Sequence, residues 1–523
     1  MFSFSLGERY WEDFQLQEED IEFLYNRLLE LETPLTSREL VSLLVEERIR
    51  REVESIEEQR RSGAEVYLPK NRYTLDQKLV FPALEWQRGK VIGVREGRNP
   101  DLPVFEVIRV CFDSGEEREF ASGLEEHALN APSEVSWQDP SLDSRYVLFH
   151  YGDLLEERLE QGLRSNQGFV RIAGRWFPRS LLLEINAGHL NLAEAVLDMA
   201  GGGPLSTQSL LQQIELPTSA NPKLVEFSLD LALQADARFD EVGPAGEVLW
   251  FLRRLEPEQV REVPMQLRYQ ESEYDRSQLT KEMLALEREL DDELSPVEPR
   301  QWADAEVVIR LIYPHWRVGT LPISSRNRHL FPTAYEAPRI RFTFVEQESN
   351  EKFPAWVVRD KCYVFGLRQW YQKRGLIPGS LVRLKRGKIP GEVILSCDSQ
   401  RASREWIRTL LIGSDGGIVF AMLKHIITAA YDERMAIAIP DVEALDGVWQ
   451  NAHKDRRPFE AVVLDIMRKL AELNPQGHVH ASELYAALNT IRRCPPGPIL
   501  ALLASQPHFT HVGDLHFRIE GTE

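Results

Sequence analysis

An α+β chain of several small modules is what this sequence predicts, on three observations. Its 523 residues exceed one domain, at roughly 100–200 residues each. Helical spacing and clusters of short strands occupy separate stretches instead of alternating strictly. Stretches near 190–252 and 458–519 pass through the same order of elements, an internal repeat of architecture.

Composition bounds the function. A hydrophobic share of 43% and a charged share of 28% suffice for folded cores and argue against global disorder. The net charge of −20 excludes a simple DNA-coating protein, whose affinity would come from bulk positive charge, and disfavours an anionic membrane. Cys111, Cys362, Cys397 and Cys494 have no short spacing, so neither a CxxC zinc site nor a disulfide framework is expected. The start Met1-Phe-Ser-Phe-Ser-Leu-Gly lacks a secretory pattern, and a cytoplasmic location is expected.

The elements follow in order. Ile21, Leu24, Leu28 and Leu31 recur at helical spacing. Thr33-Pro34 breaks that helix, and Thr36 with Glu39 forms a capping box that starts another. Residues 67–124 hold four or five short strands around Asp113-Ser-Gly115. The stretch resembles the Tudor-like barrels of transcription-associated proteins. Residues 140–185 hold a helix and a hairpin around Ala173-Gly174.

Then comes a helix at Leu190–Met199, the break Gly201-Gly-Gly-Pro204, a short helix, and a proline-initiated helix from Pro222. Arg238-Phe239 and Glu247–Leu252 supply a two-stranded wing. The closing stretch repeats this: Pro458–Leu473, Ala481–Ile491, Pro496–Ala504, then His508-Phe509 and Leu515–Ile519. Phe239…Val242-Gly243 and Phe509…Val512-Gly513 occupy the same place in each. Both copies, 188–255 and 457–521, resemble HARE-HTH winged helices, a family that includes the δ subunit of bacterial RNA polymerase and modules of chromatin and restriction proteins. Pro204-Leu205-Ser206-Thr207 and Trp250 carry the closer match; the second copy has Phe517 where Trp250 stands. The resemblance implies a setting at DNA or its protein machinery.

Between the copies, Gln278–Leu294 reads as an acidic helix ended by Pro296 and Pro299, and 304–397 is again strand-rich. There Val364-Phe-Gly-Leu367, Trp370-Tyr371 and Gly375-Leu-Ile-Pro-Gly379 resemble the DNA-binding pseudobarrels of plant transcription factors and some restriction enzymes. The expected divisions are 1–64 (helical, a helix-turn-helix start), 65–130 (small barrel), 140–258 (winged helix with preceding helix and hairpin), 259–302 (acidic connector), 303–400 (basic, β-rich), 401–456 (helical) and 457–523 (winged helix).

The functional signal is charge. Residues 310–410 carry nineteen Lys or Arg against eight Asp or Glu. Arg383, Lys385, Arg386 and Lys388 cluster at one turn, with Arg326, Arg328, Arg339 and Arg341 as a second group. Trp316, Trp356, Trp370 and Tyr371 interleave with them. Cations would meet phosphates and exposed aromatics would stack on bases. The opposing reading is a solvated surface paired with the acidic connector, its aromatics in the core. The third helices, from Pro222 and Pro496, are poor in positive charge, Lys223 being their one cation. Protein contact suits them better than groove reading.

Catalytic motifs are not evident. His478 and His480 lack companion ligands, Gly201–Gly203 lacks the lysine of a phosphate loop, and Asp441 with Glu443 or Asp465 with Lys469 are the nearest approach to a nuclease centre. No cofactor, metal or catalytic residue is expected. The predicted partners are nucleic acid, DNA before RNA, or the transcription machinery, with proteins docking on the acidic helices. A protein-only adaptor and a restriction-like or defence nuclease are the alternatives.

Overall fold

The computed structural model describes residues 9–520 apart from 62–64, 82–83, 85–86, 100–102, 131–139, 215, 217–219, 297–304, 390, 415 and 455–456. Met1–Gly7 and Pro299, both used above, lie outside the described residues. The chain is α+β and multi-modular. It divides into two compact units, residues 1–183 with 220–225, and residues 184–219 with 226–523.

In the first unit, helix Glu18–Leu31 buries Leu24 and Leu28. Thr36 and Glu39 form the expected box: the Thr36 backbone N–H donates to Glu39 Oε2 (2.7 Å), and the Glu39 N–H donates to Thr36 Oγ1 (3.2 Å). Helix Ser37–Arg61 follows, burying Leu40, Val41 and Leu44. The buried Asp20 accepts from Arg48 and ties the two helices together.

The chain then leaves to form a five-stranded sheet, Glu65–Val66, Lys78–Phe81, Gln87–Glu96, Glu106–Phe112 and Glu117–Ser122, each beside the next. Tyr67, Tyr73, Phe81, Val91, Ile108 and Phe112 fill its core. Helix Ser144–Ser165 and the hairpin Phe169–Ile172/Arg175–Pro178 return to the starting helices, since Leu35 pairs with Trp176 across the sheet. This corrects two expected divisions. The helical start and 140–185 are one module with the sheet of 65–130 inserted, and 140–258 is not a unit. The joining strand is only Leu35–Thr36, too short to show any period.

The second unit opens with the same order: helix Ala187–Met199, strand Leu205–Ser206, helices Thr207–Leu211 and Pro222–Ala235, hairpin Phe239–Glu241/Leu249–Leu252. It ends with it again: Phe459–Ala471, Val479–His480, Ala481–Leu488, Pro496–Ser505, Phe509–Gly513, His516–Ile519. The register repeats in all three modules. Leu35, Leu205 and Val479 face Trp176, Trp250 and Phe517, while Phe169, Phe239 and Phe509 face Pro178, Leu252 and Ile519.

Polar chemistry follows the register. Trp176 Nε1 donates to Ser37 Oγ (3.0 Å), which donates to Glu160 (2.7 Å). Trp250 Nε1 donates to Asp230 (2.9 Å) and Thr207 (3.1 Å), and Thr207 donates to Asp230. The third module has Ala481 and Phe517 at the matching places. Exchanging hydroxyl and indole together leaves no orphaned donor, which is the tolerable way to make a buried polar group apolar.

Between these modules stands a seven-stranded sheet in the order Glu306–Arg310, Leu381–Arg386, Glu392–Ser396, Arg339–Glu346, Lys352–Val358, Tyr363–Phe365, Thr320–Pro322. Helix Tyr313–Val318 follows its first strand in the chain and Arg368–Arg374 its fifth. Leu376-Ile377-Pro378-Gly379 then returns the chain into the sheet. Gly379 has φ of 95°, and a Cβ there would lie 2.5 Å from Ala436 Cα, so glycine is required on two counts. The connector is helical at Lys281–Leu290, and its Met283 and Leu286 share a core with Ile499 and Leu500 of the last module.

Residues 401–456 are not a helical segment, which is a further correction. Ser399–Ile412 and Ile418–Ala429 form a long antiparallel ribbon, joined in parallel by Ile437–Ala438; among the described residues of this stretch only Val442–Lys454 is helical. Ile418 and Phe420 are buried while Val419 is exposed, the period-two pattern of a strand.

Candidate nucleic-acid interface

The predicted basic groups sit on the seven-stranded sheet and its connecting loops, but their charge is largely used internally. Val382 and Leu384 face the core, so Arg383 and Lys385 face outward. Arg383 pairs with Asp398 (2.5 Å) and Glu306 (2.9 Å), and Lys385 pairs with Glu306 (2.8 Å). Hydrogen bonds from Lys385 and Arg383 hold the Glu306 carboxyl below the usual range. Arg386 donates to the His329 carbonyl (2.5 Å), while Lys388 is exposed.

In the second group, Arg339 is paired with Asp240 and Glu256, and Arg341 lies 4.8 Å over the Trp356 ring, where burial lowers its pKa. Arg326 faces Asp291, whose carboxyl burial pushes up to about 6 against the lowering pull of Ser324 and Arg326; Arg328 is exposed. On the sheet Lys352 pairs with Glu392, and on the helix Arg368–Arg374 Lys373 pairs with Glu351 and Arg374 with Glu346 and Glu348.

The aromatic expectation is corrected. Trp370 is 5% exposed, Tyr371 2% and Trp356 1%. Tyr371 donates its hydroxyl to the Thr320 carbonyl (2.7 Å), and Trp316 Nε1 donates to the Leu376 carbonyl (2.7 Å). Trp356, Trp370 and Tyr371 are core, as the helical and strand spacing around them requires, and are closed to bases, while Trp316 is half-buried.

The ribbon presents what the sheet does not. Arg404 stands opposite Ile426, Trp406 opposite Lys424, and Arg408 opposite Met422, and opposed residues of an antiparallel pair project from the same face. Trp406 is 60% exposed and Ile426 66%. Lys424 Nζ lies 5.0 Å over the Trp406 ring, a cation–π contact. Glu405 alternates to the other face, beside His425. Arg401 lies in the irregular stretch between Ser399 and Ser403. Among the described residues no ion pair engages Arg401, Arg404 or Lys424, whereas Arg408 is held by Glu483 (2.8 Å). This face was missed in the sequence, although Arg-x-Trp-x-Arg at 404–408 against Met-x-Lys-x-Ile at 422–426 is an alternating signal.

Other candidates resolve into structural roles. His480 is buried, accepts the Ser482 N–H (3.1 Å), and is lowered by burial to about 4. Asp441 accepts the Ala444 N–H (2.9 Å) at a helix start, and Asp465 pairs with Lys469 (2.8 Å). Among the described residues no cluster could hold a metal ion.

A buried charge network joins the connector to the last module. Arg493 reaches Asp292 (2.6 Å) and Glu293 (2.8 Å), and Tyr485 donates to Asp292 (2.5 Å). Glu293 also meets His315 Nε2 (3.1 Å). Burial alone would raise Glu293, but Arg493 and His315 outweigh it and hold the carboxyl well below its usual range.

No described helix is long and apolar enough to cross a membrane. No protein-family model matches the chain, and no curated protein or solved structure is detectably similar to it.

Proposed function

We propose that this protein is a nucleic-acid-associated binding protein whose grip is the ribbon face around Trp406. The observation that carries the reading is the exposed indole with Arg401, Arg404 and Lys424 nearby, none engaged by an ion pair among the described residues. Phosphates and bases are the partners that such a set recognises together. The net charge of −20 does not oppose this, because remote charges are screened beyond about 8–10 Å at physiological salt.

Two further features support the reading. The thrice-repeated order of helix, strand, two helices and hairpin is that of a winged helix, and we read the modules as such, with the cation-poor helices from Pro222 and Pro496 turned to protein partners. The seven strands, with helices after the first and fifth and the Pro378-Gly379 return, suit a DNA-binding pseudobarrel. The four cysteines are free thiols, which fits a reducing, cytoplasmic setting.

The internal pairing of Arg383 and Lys385 favours one rival, a protein-only adaptor. Fluorescence anisotropy of labelled DNA and RNA with the full chain separates the two. Binding that weakens with salt and is lost when Arg401, Arg404 and Lys424 become Glu is expected. Absence of binding at low salt leaves the adaptor.

A further inference from the structure

We propose that the ribbon takes single-stranded nucleic acid, with an unpaired base stacked on Trp406 and phosphates held by Arg404, Lys424 and Arg401. This rests on the nucleic-acid reading above and narrows its ligand.

Trp406 departs from the chain's habit. Trp176, Trp250, Trp356 and Trp449 are all fully buried, whereas Trp406 is 60% exposed on a regular strand. Around it Ile426 and Met422 extend an apolar floor on the same face. A duplex cannot use such a floor, because each paired base has its π-faces covered by its neighbours. An unpaired base offers a free face, and stacking on an aromatic is indifferent to which base it is.

The same face is poor in what a duplex reader needs. A ribbon in the major groove reads base edges with amide, hydroxyl or guanidinium groups in register. Here the six facing residues are Arg404, Trp406, Arg408, Met422, Lys424 and Ile426, with no amide or hydroxyl among them, and Arg408 is engaged by Glu483. Two cations with no ion pair among the described residues remain, one directly across from the indole and one two residues along its strand, at about 7 Å. That spacing lets a backbone run beside a stacked base. The Lys424 ammonium over the ring adds cation–π attraction.

The test is competition binding with the full-length protein, using a labelled oligothymidylate, a DNA hairpin of equal charge, and polyglutamate. The single strand is expected to bind at least tenfold tighter than the hairpin. Trp406→Leu weakens it by roughly tenfold, while Trp406→Phe stays within about threefold. Melting curves show that both variants fold, and Trp406 is exposed enough for either to be tolerated. Hairpin binding as tight as the single strand, with Trp406→Leu harmless, overturns this inference and leaves the broader reading standing. No nucleic-acid binding at low salt removes the broader reading itself. Polyglutamate matching the oligonucleotide overturns both in favour of an acidic protein partner.

Discussion

Replacing Arg493 by Met tests the buried network that fastens the last module to the connector. The guanidinium is fully buried and makes five hydrogen bonds to four groups: two to Asp292 and one each to Glu293, the Asn489 side chain and the Cys494 carbonyl. Methionine keeps much of the volume but leaves two buried carboxylates short of a counter-charge. Breaking a buried pair from one side costs about 3–5 kcal/mol. At roughly 2–4 °C per kcal/mol for a unit of this class, the transition falls by about 6–20 °C. The pH dependence identifies the cause. In the native protein Glu293 is held below its unfolded value, so its contribution is present above about pH 4.3 and is lost as pH falls through the folded value. In the variant, burial dominates and raises the carboxyl, so stability is lost as pH rises. The deficit is therefore largest near pH 7 and shrinks toward pH 4. Differential scanning calorimetry at both pH values reads this. A variant melting within about 1 °C of the native protein, or a deficit that grows in acid, refutes the reasoning.

Three further outcomes are expected. Asp230 is raised by burial to about 7, so its contribution is full below about pH 4 and fades as pH rises toward 7. Asn accepts the same two hydrogen bonds, so Asp230→Asn should be neutral or stabilising at pH 8 in thermal melts; a loss above about 1 kcal/mol contradicts the assignment. Gly379→Ala forces a side chain into positive φ and against Ala436, and should cost more than about 2 kcal/mol in urea titration. Changing Arg383, Lys385, Arg386 and Lys388 together to Ala should leave nucleic-acid affinity within about threefold by anisotropy. The same variant loses at most about 1 kcal/mol of stability, since its partly exposed pairs are weak.

How much was legible in the sequence depends on the range of the interaction concerned. Local signals were readable. The Thr36/Glu39 box, the breaks at Gly201–Pro204 and the hairpin at Ala173-Gly174 each lie within a few residues of chain. Long-range pairing was not. Two residues, Leu35 and Thr36, pair with a strand about 140 positions away, and nothing in their own spacing announces it. The first module therefore looked like two fragments. The site suffered from the same limit. Charge density pointed to Arg383 and Lys385, but a count of cations ignores which carboxylates the sheet brings beside them. Glu306 and Asp398 do so from a neighbouring strand and its loop. Trp406 was passed over because residues 401–456 were read as helical, so their period-two alternation went unused. The alternation of Arg404, Trp406 and Arg408 against Met422, Lys424 and Ile426 becomes meaningful only once the ribbon's register is known.

Photo-crosslinking tests the central claim most directly. A single-stranded oligonucleotide carrying 5-iodouracil is irradiated with the full-length protein, and the attached peptides are mapped by mass spectrometry. The account predicts attachment at Trp406, within peptides spanning 401–408 and 418–427, and its loss when Arg401, Arg404 and Lys424 become Glu. Attachment confined to 326–341 or 383–388, unchanged in that variant, would contradict it.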